Sequence, residues 1–131
     1  MTSAGNGRFG VIVADDDVAV CEALGSLIDD HPDLSLLGTA HSGNEAARLA
    51  ELTHADLVVA DVMMPTGGLE AIRAVHAVAP LTVVAVFTAS RSRLLHRALV
   101  EGGAAAVFAK GEAIDLANSL VTLMSERRIT D

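Results

Sequence analysis

Five short apolar runs, each followed by a segment with helical spacing, constrain this chain more than any other feature of its sequence. The runs are Gly10-Val-Ile-Val-Ala14, Leu34-Ser-Leu-Leu-Gly38, Leu57-Val-Val-Ala60, Thr82-Val-Val-Ala-Val-Phe-Thr88 and Ala105-Ala-Val-Phe-Ala109. Most are continuous rather than alternating, the pattern of strands covered on both faces. Between them the apolar period changes to that of a helix. Val20, Leu24, Leu27 and Ile28 form one stripe, and Leu69, Ile72, Val75 and Ala79 form another. Ala113, Ala117, Leu120, Val121 and Met124 give a third, in the last helix. Pro32 and Pro80 follow helix ends, Gly102-Gly103 stops the fourth helix, and Ser42-Gly-Asn-Glu45 reads as a capping box opening the second. The second helix has weaker apolar spacing and is placed by its neighbours. Strand and helix repeated five times imply an α/β fold, a doubly wound five-stranded parallel sheet with helices on both faces.

A chain of 131 residues fits one domain, and half of it is apolar, as in a globular protein. Residues 8–127 are expected to form that domain, with 1–7 as a flexible leader and 128–131 as a C-terminal tail or truncated linker. Acidic residues outnumber basic ones 17 to 9, for a formal charge of -8. Such a surface repels a phosphate backbone, so direct nucleic acid binding by this chain is not expected. The single Cys21 cannot close an intramolecular disulfide, and no run has the length of a membrane span. The N-terminus lacks a signal-peptide pattern, so the expected location is cytoplasmic, with no membrane partner.

In open parallel sheets, ligands bind outside the carboxyl ends of the strands, near the point where strand order reverses. The residues just after each run are therefore the informative ones. The first run ends in Asp15-Asp16-Asp17, the third in Asp61, the fourth in Thr88 and the fifth in Lys110. Singly, each has a bland reading: a solvated acidic loop, a helix cap, a strand-forming Thr, a solubilising Lys. Together they put carboxylates, a hydroxyl and an ammonium around one crevice. Clustered carboxylates repel one another unless a cation joins them. Asp15, Asp16 and Asp61 offer hard oxygen ligands suited to Mg2+. One carboxylate can attack phosphorus, while Mg2+ and the Lys ammonium neutralise the phosphoryl oxygens and the Thr hydroxyl donates to another.

Val13-Ala-Asp-Asp16, Asp61-Val-Met-Met-Pro65, Val86-Phe-Thr88-Ala89 and Phe108-Ala-Lys110 together resemble the receiver domain of bacterial two-component response regulators, over nearly the whole chain. The stretches from His31-Pro-Asp-Leu to Gly38-Thr-Ala-His-Ser-Gly, and Gly68-Leu-Glu-Ala, are most similar to receivers of LuxR/NarL-type regulators. The resemblance implies a flavodoxin-like sheet of order 2-1-3-4-5. It implies that Asp61 accepts a phosphoryl group from a sensor histidine kinase, with Asp15 and Asp16 as the acid pair. Asp16, Asp61 and the Met63 backbone carbonyl would bind Mg2+ directly, and Asp15 through water. Thr88 and Lys110 would contact the phosphoryl oxygens, and movement of Thr88 would repack the face of the fourth helix, fifth strand and fifth helix. Asp17 falls outside the pair and reads as a helix-start residue.

Two positions depart from the family. Where it carries Tyr or Phe, three residues before the Lys, this chain has Val107, and alternation puts Phe108 on the other face. The loop after Met64-Pro65 is one residue shorter than the family's. These departures motivate an alternative, a receiver-shaped protein-binding module that is not switched by phosphorylation. A hydrolase of the haloacid-dehalogenase type needs a second acid two residues after the nucleophile, where this chain has Met63, so an enzyme with turnover is not expected. Gly5-Asn-Gly7-Arg-Phe-Gly10 has dinucleotide-fingerprint spacing but precedes a strand instead of following one. His31, His41, His54, His76 and His96 show no ligand spacing, and Cys21 reads as packing. A homodimer through the last helix is a possible partner arrangement. The chain reads either as a stand-alone receiver or as the regulatory half of a transcription regulator.

Overall fold

The computed structural model describes residues 7–62, 67–111 and 115–130, with side chains of the last helix described to residue 127. Strands and helices alternate: β1 (Phe9–Ala14), α1 (Val18–Asp29), β2 (Leu34–Ala40), α2 (Gly43–Thr53), β3 (Leu57–Ala60), α3 (Gly68–Val78), β4 (Val83–Thr88), α4 (Arg93–Glu101), β5 (Ala106–Ala109) and α5 (Leu116–Thr130). All pairings are parallel and the order is β2-β1-β3-β4-β5, as expected. The backbone of α5 continues to Thr130.

The continuous apolar runs work as the two-faced pattern requires. Ile12, Val58 and Val84 pack with Ala46, Ala50, Ile72 and Leu99 from α2, α3 and α4. Their neighbours Val11, Val13, Leu57 and Val59 pack on the opposite face with Cys21, Ile28, Leu120 and Met124 from α1 and α5. Each fully buried Val, Leu or Ile contributes roughly 1.5–3 kcal/mol. The exposed Arg73–Glu70 ion pair contributes about 0–1 kcal/mol, so burial on both sheet faces dominates.

Helix starts follow the sequence signals. Asp17 caps α1, its carboxylate accepting from the Ala19 and Val20 amides. Ser42 Oγ accepts from the Glu45 amide, but Glu45 Oε1 accepts from the His41 amide instead of that of Ser42, so the box is closed one residue early. Other details differ from the sequence reading. The buried line of α1 is Cys21, Leu24, Gly25 and Ile28, while Leu27 is exposed. Gly25 lies against β2 on this face, where a Cβ would come within 3.0 Å of Leu36 Cδ2. In α3, Ala71 joins Ile72 and Val75 inside, and Ala79 is the cap. The strand β2 extends to Ala40, and its register against β1 shifts at Leu37, where Val11 pairs with Leu36 and Ile12 with Gly38. Ala113, read as part of the α5 stripe, lies outside the described residues, as do residues 63–66 of the loop read as shortened.

The first residue of α3 sits tightly against the chain that follows β3. A Cβ on Gly68 would lie 2.6 Å from Val62 Cγ1 and 3.0 Å from Val62 Cβ and Leu99 Cδ2. Val62 directly follows Asp61, so the fit at Gly68 sets where the chain leaves β3. Gly68→Ala is expected to lower stability by roughly 1–3 kcal/mol through overpacking, measured by denaturant unfolding, and to shift the Asp61 and Val62 amide resonances. An unchanged midpoint would mean that the contact relaxes at no cost.

Candidate functional site

Each residue singled out at a strand end stands at the same, carboxyl end of the sheet. Asp15 and Asp16 follow β1, Asp61 follows β3, Thr88 ends β4 and Lys110 follows β5. The hydrogen-bond ladder continues one residue past the strands. The Asp15 amide donates to Ala40 O at 3.0 Å, the Asp61 amide to Ala14 O at 3.0 Å, and the Lys110 amide to Thr88 O at 2.6 Å. The side chains are thus held by regular sheet geometry as far as their own α carbons.

The carboxylates of Asp15, Asp16 and Asp61 converge, with an oxygen from each within 4.8 Å of the others. Asp15 and Asp61 are buried and Asp16 is exposed, so the cluster opens to solvent on one side. Lys110 Nζ bridges the buried pair, at 3.1 Å from Asp15 Oδ2 and 3.4 Å from Asp61 Oδ2. The other oxygen of Asp15 accepts from the Asp17 amide at 2.9 Å, which fixes the carboxylate between helix start and ammonium. Three hard oxygens at this separation suit a small divalent cation, and a mobile ammonium beside them can meet an anion. Lys110 also lies 5.5 Å from the centroid of the Phe87 ring, a cation–π contact that supports its charged form. Burial pulls the Lys110 ammonium down, but the hydrogen bond to Asp15 and the charges of Asp61 and Asp15 outweigh it, and its pKa is raised overall.

Thr88 is fully buried, and its Oγ1 accepts from the Ser90 amide at 3.2 Å. The Ser90 carbonyl in turn lies 2.7 Å from His96 Nε2, so the β4–α4 connection is held at both its amide and its carbonyl. Met63, expected to offer its carbonyl to the cation, lies outside the described residues.

Val107 packs with the α2–α3–α4 side of the sheet, and Phe108 packs with the α1–α5 side. Phe87 and Phe108 are register partners on that second face. The strand alternation that separated Val107 from Phe108 in the sequence therefore holds.

Two residues near the site were set aside in the sequence. Cys21 is buried, its Sγ 3.3 Å from Asp15 O and 3.8 Å from Ala40 O. His41 Nδ1 lies 3.0 Å from the same Asp15 carbonyl. No spacing rule connects residues 15, 21 and 41. They meet because β2 lies beside β1 and ends where α1 begins. Burial, then the Asp15 charge, pushes the Cys21 thiol up, and it stays a donor rather than a thiolate.

A family model described as the response regulator receiver domain matches residues 11–121. The transcriptional regulatory protein LnrK of Bacillus subtilis (strain 168) is 29% identical over 117 residues, covering 88% of this chain and 53% of that protein. A protein-glutamate methylesterase/protein-glutamine glutaminase of Methanosarcina acetivorans is 31% identical over 74 residues, covering 56% of this chain and 21% of that protein. The chain thus spans about half of the first relative and a fifth of the second. Among solved structures, a LuxR-family two-component response regulator from Aurantimonas sp. SI85-9A1 superposes with a TM-score of 0.85 at 25% identity. The match covers 91% of this chain and 86% of that one. Among the described residues, no helix is long and apolar enough to cross a membrane.

The Lys110 bridge carries a pH signature. A raised folded-state pKa adds stability that is fully present below the unfolded value and is lost as pH rises through the folded one. The stability gap between the parent protein and Lys110→Met, followed by denaturant midpoint, is therefore expected to stay constant from neutral pH up to the ordinary Lys value of 10.5 and to close above it. A gap that persists unchanged into alkali would show that the ammonium contributes nothing through its charge.

Proposed function

Because the chain belongs to the response regulator receiver domain family, we propose that it is a phosphorylation-driven switch in which Asp61 accepts a phosphoryl group from a sensor histidine kinase. The observation that carries this reading is the convergence of Asp15, Asp16 and Asp61 with Lys110 bridging two of them. Asp61 is the carboxylate at the centre of the sheet, on the strand beside which the order reverses, where a ligand approaches from outside the strand ends. Its oxygen attacks phosphorus, and the bond to the donor's leaving group breaks in line. Asp16 and Asp61, with Asp15 through water and the Met63 carbonyl, would hold Mg2+, which supplies positive charge to the phosphoryl oxygens.

Lys110 neutralises another of those oxygens, releasing part of its hold on Asp15 and Asp61 as the acyl phosphate forms. Thr88 donates its hydroxyl to a third oxygen, which requires its Oγ1 to turn from the Ser90 amide. That movement links the site to α4 and the output face. The domain itself carries out its own phosphorylation chemistry without turnover of an external substrate. The alignment with half of a transcriptional regulator supports a place in a longer chain that regulates transcription, and a cytoplasmic location belongs to the same proposal. A homodimer through α5 is part of the same proposal.

A second reading, a receiver-shaped protein-binding module that phosphate does not switch, is favoured by one observation. The β5 position facing α4 holds Val107, and both rings of the β4–β5 pair lie on the other face. With Mg2+ and acetyl phosphate, the protein is expected to gain one phosphoryl group by intact mass, and Asp61→Asn to gain none. Lys110→Ala should slow the gain by about 10²–10³-fold, the usual loss for one oxyanion-stabilising group. Amide NMR with a beryllofluoride mimic then separates the readings. Shifts spreading from Asp61 and Thr88 to α4 and α5 support the switch, and shifts confined to the acidic cluster support the unswitched module.

A further inference from the structure

We infer that His41, seconded by Cys21, is a positioning residue that clamps the backbone of Asp15 and so sets the geometry of the acidic cluster. The inference deepens the reading above and rests on Asp15 being one of the acid pair. Asp15 lies one residue beyond the end of β1, and β2 stops at Ala40. Its amide still finds a strand partner in Ala40 O, but its carbonyl emerges where the neighbouring chain turns into α2. Two side chains meet it there. His41 Nδ1 lies at 3.0 Å and Cys21 Sγ at 3.3 Å. A carbonyl only accepts, so His41 carries its proton on Nδ1 and the thiol donates through sulfur.

The clamp is itself anchored. The His41 amide donates to Glu45 Oε1 at 2.9 Å, tying the residue to the first turn of α2. Cys21 is fixed on the buried face of α1, and its sulfur is 3.9 Å from His41 Nδ1. Both arms therefore come from elements that flank β1, and together they fix the peptide that joins Asp15 to Asp16. Asp15 and Asp16 each supply an oxygen to the cluster, so rotation of that peptide would move both carboxylates at once. Partners that orient metal ligands from behind typically affect affinity by about 10–100-fold. Because this clamp holds backbone and not the carboxylates themselves, the low end of that range applies.

The test uses the intact chain and Mg2+ alone, without phosphodonor. His41 is exposed, so replacing it opens no cavity. His41→Ala is expected to weaken Mg2+ binding about tenfold and to move the Asp15 carbonyl carbon resonance in the metal-free protein. His41→Asn, whose side-chain amide can place a donor near the Nδ1 position, should restore most of both. Binding by His41→Ala equal to that of the parent, or His41→Asn as weak as His41→Ala, would overturn the clamp. If the parent protein itself failed to bind Mg2+, the reading of the acidic cluster would fall. The clamp would then be judged on the carbonyl shift alone, an unmoved resonance in His41→Ala overturning it.

Discussion

Lys110 is the contact on which the acidic crevice depends, because its ammonium ties together the ends of three strands. It reaches 95 residues back to Asp15 and 49 back to Asp61. Two buried carboxylates side by side are costly, and removing the partner of a buried charge usually costs roughly 3–5 kcal/mol. Domains of this size have only about 5–15 kcal/mol in total. The site is therefore a local drain on stability that the sheet core must offset. It does so with strands buried on both faces, each neighbouring residue serving a different layer of helices.

In the proposed switch, the same ion pair would let the crevice be both preformed and responsive. A Lys side chain is long and flexible and carries its charge at a point. It can satisfy two carboxylates in one state and meet a new anion in another without any movement of β5. Thr88 lacks that reach. Its hydroxyl is engaged by the Ser90 amide within the β4–α4 turn, so any new partner for Thr88 is gained at the expense of that turn. In the proposed switch, charge neutralisation and conformational change would therefore fall to different side chains.

Much of this was legible in the sequence, and for identifiable reasons. Apolar runs marked five strands, and the parallel topology put the residues that follow them at one end of the sheet. The shared placement of Asp15, Asp16, Asp61, Thr88 and Lys110 at the strand ends was thus legible in the sequence. The Asp17 and Ser42 caps were visible because capping chemistry is local, whereas the reciprocal arm of the box falls on His41. What the sequence did not disclose depends on neighbours in space. Leu27 fits the helical period but is exposed, while Gly25 takes a place on the buried face against Leu36. His41 and Cys21 share no motif with Asp15, and only the pairing of β1 with β2 makes them neighbours of one carbonyl. The register shift at Leu37 had no signal of its own in an apolar run.

That shift has a consequence for how the molecule behaves in company. The strand β2 is an outer edge of the sheet, seven residues long and only partly covered along its middle. A straight strand of that kind is a template for pairing with another chain. Its extra residue at Leu37 interrupts the even spacing of amides and carbonyls that an incoming strand would need. The other edge, β5, is only four residues long. A crowded solution of this protein should therefore resist sheet-to-sheet growth from either side, leaving its helical faces as the surfaces through which it meets other molecules.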